Sequence, residues 1–280
     1  MISPPKLPTF YIPHGAGPCF FMDWSLGAPD TWDHMAQWLS VGLPKAVGIK
    51  PKALVVFSAH WECKAIRING HATPSLIYDY YGFPEQTYLI TYPAPGEPGL
   101  AQEIQSLLIQ AGITASIDDT HGLDHGVFIP LKLSYPQADI PIVQVSLKEG
   151  LDPETHFQLG RALESLRGKG VLIIGSGMSY HNMQMLMQSP KKNDISDRFD
   201  EWLTETCAAS PDARQKQLMA WESAPFARQA HPREEHLLPL MVAAGAASEE
   251  PGYCIFTDRV MGATVSAYQF GETLDLDSLD

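Results

Sequence analysis

"ALVVFSAHWE", Ala53 to Glu62, begins as a nearly unbroken apolar run and meets a histidine, His60, where the run stops. A strand with one wet face alternates apolar and polar residues, whereas a continuous apolar run suits a strand covered on both faces. Three other stretches have the same character: "TFYI" (Thr9 to Ile12), "IPIVQVSL" (Ile140 to Leu147) and "GVLIIGSG" (Gly170 to Gly177). With Ala53 to Ala59 they read as the central strands of a sheet. "ATVSAYQF", Ala263 to Phe270, alternates more and reads as an edge or antiparallel strand. Helical patterns fall between them. "PGLAQEIQSLLIQAG" ends in Gly112, and "DPETHFQLGRALESLRGKG" has Asp152 as its N-cap candidate; "DISDRFDEWLTETCAAS" and "REEHLLPLMVAAGAAS" add two more. Such alternation predicts an α/β fold, a three-layer sandwich with a central mixed sheet and helices on both faces.

The 280 residues are expected to form a single domain, residues 1–280, with no repeat, low-complexity tract or linker to divide them. A net charge of −13 argues against a nucleic-acid partner, which would need a basic stripe. The four cysteines, Cys19, Cys63, Cys207 and Cys254, form no C-x-x-C pair, which argues against a zinc knuckle, a redox motif or a disulfide scaffold. No apolar run approaches the ~20 residues that span a bilayer, and the N-terminus lacks the pattern of a signal peptide. A cytoplasmic protein that does not engage membranes is the expectation. The Tyr- and Pro-rich stretch from Thr73 to Gly99 reads as a long ordered loop, a type that is often functional.

The histidines follow this plan. His14 lies just past the first strand, His60 just past the second, and His181 a few residues past "VLIIGSG". In open α/β sheets ligands bind beyond the carboxyl ends of strands, so these three can meet in one crevice. Each can also be a satisfied polar residue, and the pattern alone leaves both readings standing. His121 and His125 belong to "THGLDHG", whose Gly122 and Gly126 argue against a helix that would face both rings one way. His236 opens a helix behind Glu234 and Glu235, two carboxylates that read either as general bases or as charges favoured at a helix N-terminus. His34, His71 and His156 read as surface or loop residues, and His231, before Pro232, as structural. Ser176 follows a strand but lacks the G-x-S-x-G setting of a nucleophile elbow, and no phosphate-cradling glycine loop is present.

In these residues the chain resembles the class III extradiol ring-cleavage dioxygenases, most closely the 4,5-DOPA dioxygenase extradiol branch. The matching pieces, in order, are "HGAGP", "SAHWE", "YGFPEQTY" with "YPAPGEPGLAQ", "GLDHGVFIPLKLSYPQADIPIVQVSL", "GSGMSYHN" and "EEHLLPLMVAAGA", from about residue 9 to 270. The resemblance implies one mononuclear non-haem metal ion, iron(II) for activity with zinc(II) a plausible occupant of purified protein, and a catecholic small molecule and O2 as reactants. It implies His14, His60 and His236 as metal ligands, His181 as the acid–base histidine and His125 as a second catalytic histidine of the pocket. The same fold in Memo-type proteins, metal-binding or interaction modules without assured dioxygenase activity, gives the competing reading; a zinc hydrolase is a weaker third. Ala16, Tyr78 and Met178 depart from the commoner family residues and bear on substrate identity. Trp61, Tyr80, Phe83 and Tyr180 are candidates for aromatic pocket walls.

Overall fold

The computed structural model describes residues 6–188 and 194–274. Eight strands make one sheet: β1 (Thr9–Pro13), β2 (Ala53–Cys63), β3 (Ile66–Asn69), β4 (Ala115–Asp118), β5 (Ile142–Lys148), β6 (Val171–Gly177), β7 (Gly252–Val260) and β8 (Ala263–Phe270). Their order is β4-β3-β5-β2-β6-β1-β8-β7. The four strands expected at the centre, β5, β2, β6 and β1, lie side by side and parallel. Their side chains are buried on both faces, which is why their sequences do not alternate. β8 runs antiparallel to β1 and to β7, and β3 antiparallel to β5, so the sheet is mixed as expected. β8 is antiparallel but internal; β7 forms that edge, and β4 the other.

Helices cover both faces. Leu238–Ala247 packs on β6 and β1, where Thr9 donates its hydroxyl to the Ala243 carbonyl at 2.7 Å. The approach is close because Gly175 lies beneath it: a Cβ there would sit 2.1 Å from the Pro239 carbonyl oxygen. Neighbouring residues of a strand point to opposite faces, so Ser176 looks the other way. There it donates to the Gly126 carbonyl of helix His125–Ser134, which packs on β2 and β6. Helix Pro153–Arg167 lies beside Leu238–Ala247 and is capped as expected, Asp152 accepting from the Thr155 N–H at 2.8 Å. Among the described residues no helix is long and apolar enough to cross a membrane.

Several details differ from the sequence reading. β2 does not stop before His60 but runs on to Cys63. The chain is non-helical from His121 to Asp124, as Gly122 suggested, yet a helix begins at His125 with Gly126 in its first turn. The helix after "REEH" starts at Leu238, with Pro239 in the first turn where a missing N–H is tolerated, so His236 occupies the turn before it. His156 is not a surface or loop residue. It is fully buried within helix Pro153–Arg167, where Nδ1 donates to the Asp152 carbonyl (2.8 Å) and Nε2 accepts the Lys148 N–H (3.1 Å).

Candidate metal centre and active site

β2, β6 and β1 are adjacent and parallel, so they present their carboxyl ends together on one rim of the sheet. His14 follows β1, its backbone N–H bound to the Gly177 carbonyl at the end of β6 (3.1 Å). His60 lies where β2 has ceased to pair with β6 after Ser58 and its register with β5 shifts between Phe57 and Glu62. Irregularities of this kind re-aim a side chain, here into the crevice. His236 arrives from a distant part of the chain. Its carbonyl accepts the Tyr11 hydroxyl at 2.6 Å and the Met178 N–H at 3.2 Å. It presses against Gly177, where a Cβ would lie 2.1 Å from the His236 oxygen.

The three rings form a nearly equilateral set, with centroids 4.9 Å (His14–His60), 4.9 Å (His60–His236) and 5.2 Å (His14–His236) apart. One ring nitrogen from each lies within 4.8 Å of the others, and the two Nε2 atoms of His14 and His60 are 3.1 Å apart. The outer nitrogens are occupied. Ser176, its proton given to Gly126, accepts from His14 Nδ1 at 3.1 Å, and Glu235 Oε1 accepts from His236 Nδ1 at 2.8 Å. Those bonds leave the Nε2 lone pairs of both rings available. Burial first and neighbouring histidines second lower the pKa of all three imidazoles, that of His60 to about 3 even with Asp79 and Glu235 opposing. The rings are therefore neutral at neutral pH. Three neutral nitrogen donors are a set that suits divalent iron or zinc.

His125 and His181 flank this set. The His125 ring lies 3.9 Å from that of His60, and the His181 ring stacks on His236 at 3.4 Å and 18°. Each is tied to a carboxylate. Asp79 Oδ1 accepts from His125 Nδ1 at 2.8 Å, with Oδ2 3.6 Å from His60 Nδ1. Glu235 Oε1 lies 3.3 Å from His181 Nδ1 while also holding His236. Burial opposes ionisation of both acids, but hydrogen bonds and charge interactions, chiefly with His125 for Asp79 and with His181 for Glu235, together outweigh it and keep both below the usual carboxylate range. Two further triplets, His60–Asp79–His125 and His181–Glu235–His236, have ligand-like spacing. In both, the carboxylate already accepts a proton from a ring, which makes it an orienting group.

All five histidines line one cavity of about 240 Å³, small beside the roughly 300–1,000 Å³ of drug-sized ligand sites. A larger groove of about 790 Å³ runs past Lys64, Ile113 and Arg161, but it contains no histidine, so the chemistry selects the smaller cavity. Ala16, Tyr80, Phe83, Met178 and Tyr180 line it too. Trp61 does not: strand alternation turns it away from His60, and it stacks on His121 at 3.8 Å and 6°. Tyr78 also lies outside the lining and donates its hydroxyl to the Ile90 carbonyl at 2.6 Å. Ser176 is fully buried with its proton committed to a backbone carbonyl, an orienting group and not a nucleophile. His231 is structural as expected, buried and donating from Nε2 to the Ser179 carbonyl (2.9 Å). Asp79 escaped the sequence reading, because a lone acid in a tyrosine-rich loop carries no local signal.

Residues 8–271 match the family described as the catalytic LigB subunit of aromatic ring-opening dioxygenase. A 4,5-DOPA dioxygenase extradiol of Beta vulgaris is 40% identical over 95% of this chain and 97% of its own length. Dioxygenase tasH of Hapsidospora irregularis is 37% identical over 94% of this chain and 85% of its own. The crystal structure of an uncharacterized protein from Escherichia coli K12 superposes with a TM-score of 0.75 at 28% identity, covering 95% of this chain and all of that one. The chain belongs to the LigB family of class III extradiol dioxygenases, which places it among the oxidoreductases that use dioxygen.

Proposed function

We propose that the protein is an extradiol dioxygenase, opening the ring of a catechol beside its two hydroxyls and incorporating both atoms of O2 into the product. The observation that supports this reading most is the convergence of one nitrogen each from His14, His60 and His236 within 4.8 Å, on the wall of a cavity that fits one aromatic ring. These three residues would hold a single metal ion, iron(II) for turnover, with zinc(II) binding equally suited to the donors. An iron(II) ion held by these residues would supply the redox-active centre that brings catechol and dioxygen to react. His14 and His236 are held for that task by Ser176 and Glu235.

The proton chemistry belongs to the chain. His181 has its Nδ1 beside Glu235, so Nε2 is the atom that takes a catechol hydroxyl proton and later returns it. His125, fixed through Nδ1 by Asp79, presents Nε2 to the same cavity and donates toward the reacting oxygens. Tyr80 and Phe83 close the side of the ring slot, their rings T-shaped at 5.6 Å. Anaerobic loading with iron(II), followed by oxygen and a panel of catechols, should give yellow ring-fission products. His60→Ala should bind less than a tenth of the metal by elemental analysis. Tight zinc binding with no product from any catechol would favour the Memo-type binding module.

A further inference from the structure

The proposed reaction accounts for two ring hydroxyls and is silent on the rest of the substrate; the cavity wall speaks to that remainder. Beyond its histidines and glycines, every described lining side chain is aromatic, aliphatic or thioether; of its tyrosine hydroxyls, those of Tyr80 and Tyr180 are engaged by the Thr87 carbonyl and Met185 Sδ, and Tyr81 is exposed at the rim. Phe83 comes from the tyrosine-rich loop, Met178 from the residue after β6, Met183 and Leu186 from the short helix Met183–Gln188, and Val260 and Met261 from the β7–β8 hairpin. Among the described residues that line it, none is Lys, Arg, Asp, Glu, Asn, Gln, Ser or Thr. The ions closest in the chain are engaged elsewhere. Arg233 pairs with Glu62 and Glu235. Arg259 precedes Val260 in β7 and so points to the other face, where Asp197 (2.6 Å) and the Gly262 carbonyl (2.9 Å) hold it. Asp79 and Glu235 are each shared between two histidines.

A charged substituent entering this wall would leave water and find no side chain of opposite charge, which is unfavourable. Methionines, by contrast, mould to apolar groups of varied shape.

Resting on the dioxygenase reading above, we infer that the substrate is a catechol carrying an uncharged, apolar substituent, alkyl or aryl, in place of an amino-acid or carboxylate side chain. The test uses the whole protein loaded with zinc(II), which does not cycle redox states, and follows quenching of tryptophan fluorescence, since Trp32 lines the cavity. 4-Ethylcatechol should bind at least tenfold more tightly than 3,4-dihydroxybenzoate or DOPA. Equal affinities, or the reverse order, would overturn the inference. Met183→Arg, at the half-exposed rim, should tighten 3,4-dihydroxybenzoate at least fivefold with metal content unchanged; no gain would count against the apolar wall as selector. Turnover is read separately with iron(II) and O2. Absence of ring-fission product from every catechol would remove the dioxygenase reading, while the binding order would still decide the substituent class.

Discussion

Asp79 holds His125 twice with one oxygen: Oδ1 accepts the backbone N–H at 3.0 Å and the ring Nδ1 at 2.8 Å. The pair joins the tyrosine-rich loop to the first residue of helix His125–Ser134, so one carboxylate fixes both where that helix begins and which way its first side chain points. Asp79→Asn removes the charge and lets the ring turn. It is expected to lower kcat by about 10–100-fold. Metal affinity should fall less than in His60→Ala; direct titration with zinc(II) alongside turnover separates the two effects.

Glu235 and His181 should part along the same line. His181→Ala is expected to keep the metal and lose roughly 10²–10⁴-fold in turnover, the usual worth of a general acid–base. Glu235→Gln touches both the His236 and His181 rings, so it should weaken metal binding about tenfold or more as well as slow turnover. Elemental analysis and steady-state rates on the same samples check this, and near-normal turnover by His181→Ala would remove its assigned role.

Gly177 offers a test of backbone packing. A Cβ placed 2.1 Å from the His236 carbonyl oxygen meets backbone first and the buried Tyr11 ring next, at 3.0 Å, neither of which is the end of a flexible side chain. Gly177→Ala should therefore destabilise the fold by about 1–3 kcal/mol and shift the turn bearing His236. Urea unfolding measures the first effect and metal stoichiometry of the folded fraction the second.

A pH-dependent term comes from Asp200, 9% exposed, whose carboxyl burial pushes up to about 6, a shift that hydrogen bonding to Ser266 only partly offsets. A raised folded-state pKa means that the native protein holds its proton longer than the unfolded chain. Stability from this group is therefore full below the unfolded value of 3.8 and lost as pH rises through about 6. About 2–3 kcal/mol is at stake, at 1.36 kcal/mol per unit. Asp200→Asn should raise the melting temperature at pH 8 while changing it little at pH 4, as thermal melts across that range will report.

The central strands were readable because burial on both faces writes itself into consecutive apolar residues, as in β6. His14, His60 and His181 were found by following those runs to their ends. β3 and β4 were not, being four residues each with polar members such as Arg67 and Asp118. Helix His125–Ser134 was hidden for the opposite reason. Seven consecutive residues from His125 to Leu131 are buried, so no amphipathic period exists, and Gly126 and Pro130 carry the wrong propensity. Glu235 was visible but ambiguous, since a helix N-terminus attracts acids for its own electrostatic reasons. What distinguishes it is a contact with His181, more than fifty positions away in sequence, and such contacts leave no trace in local pattern.

The rim where β1, β2 and β6 end has a further consequence, for the heat resistance of the whole molecule. Its three converging imidazoles come from positions 14, 60 and 236, near the start, the first quarter and the last fifth of the chain. A cation gripped there would act as a staple between these segments, adding to the sheet pairing and to the Tyr11 bond that already hold them. Because the unfolded chain scatters these rings, occupancy raises stability by mass action, about 2.7 kcal/mol at a hundredfold excess over Kd. Melting curves recorded against metal concentration thus become an assay of the centre itself, one that needs neither substrate nor oxygen.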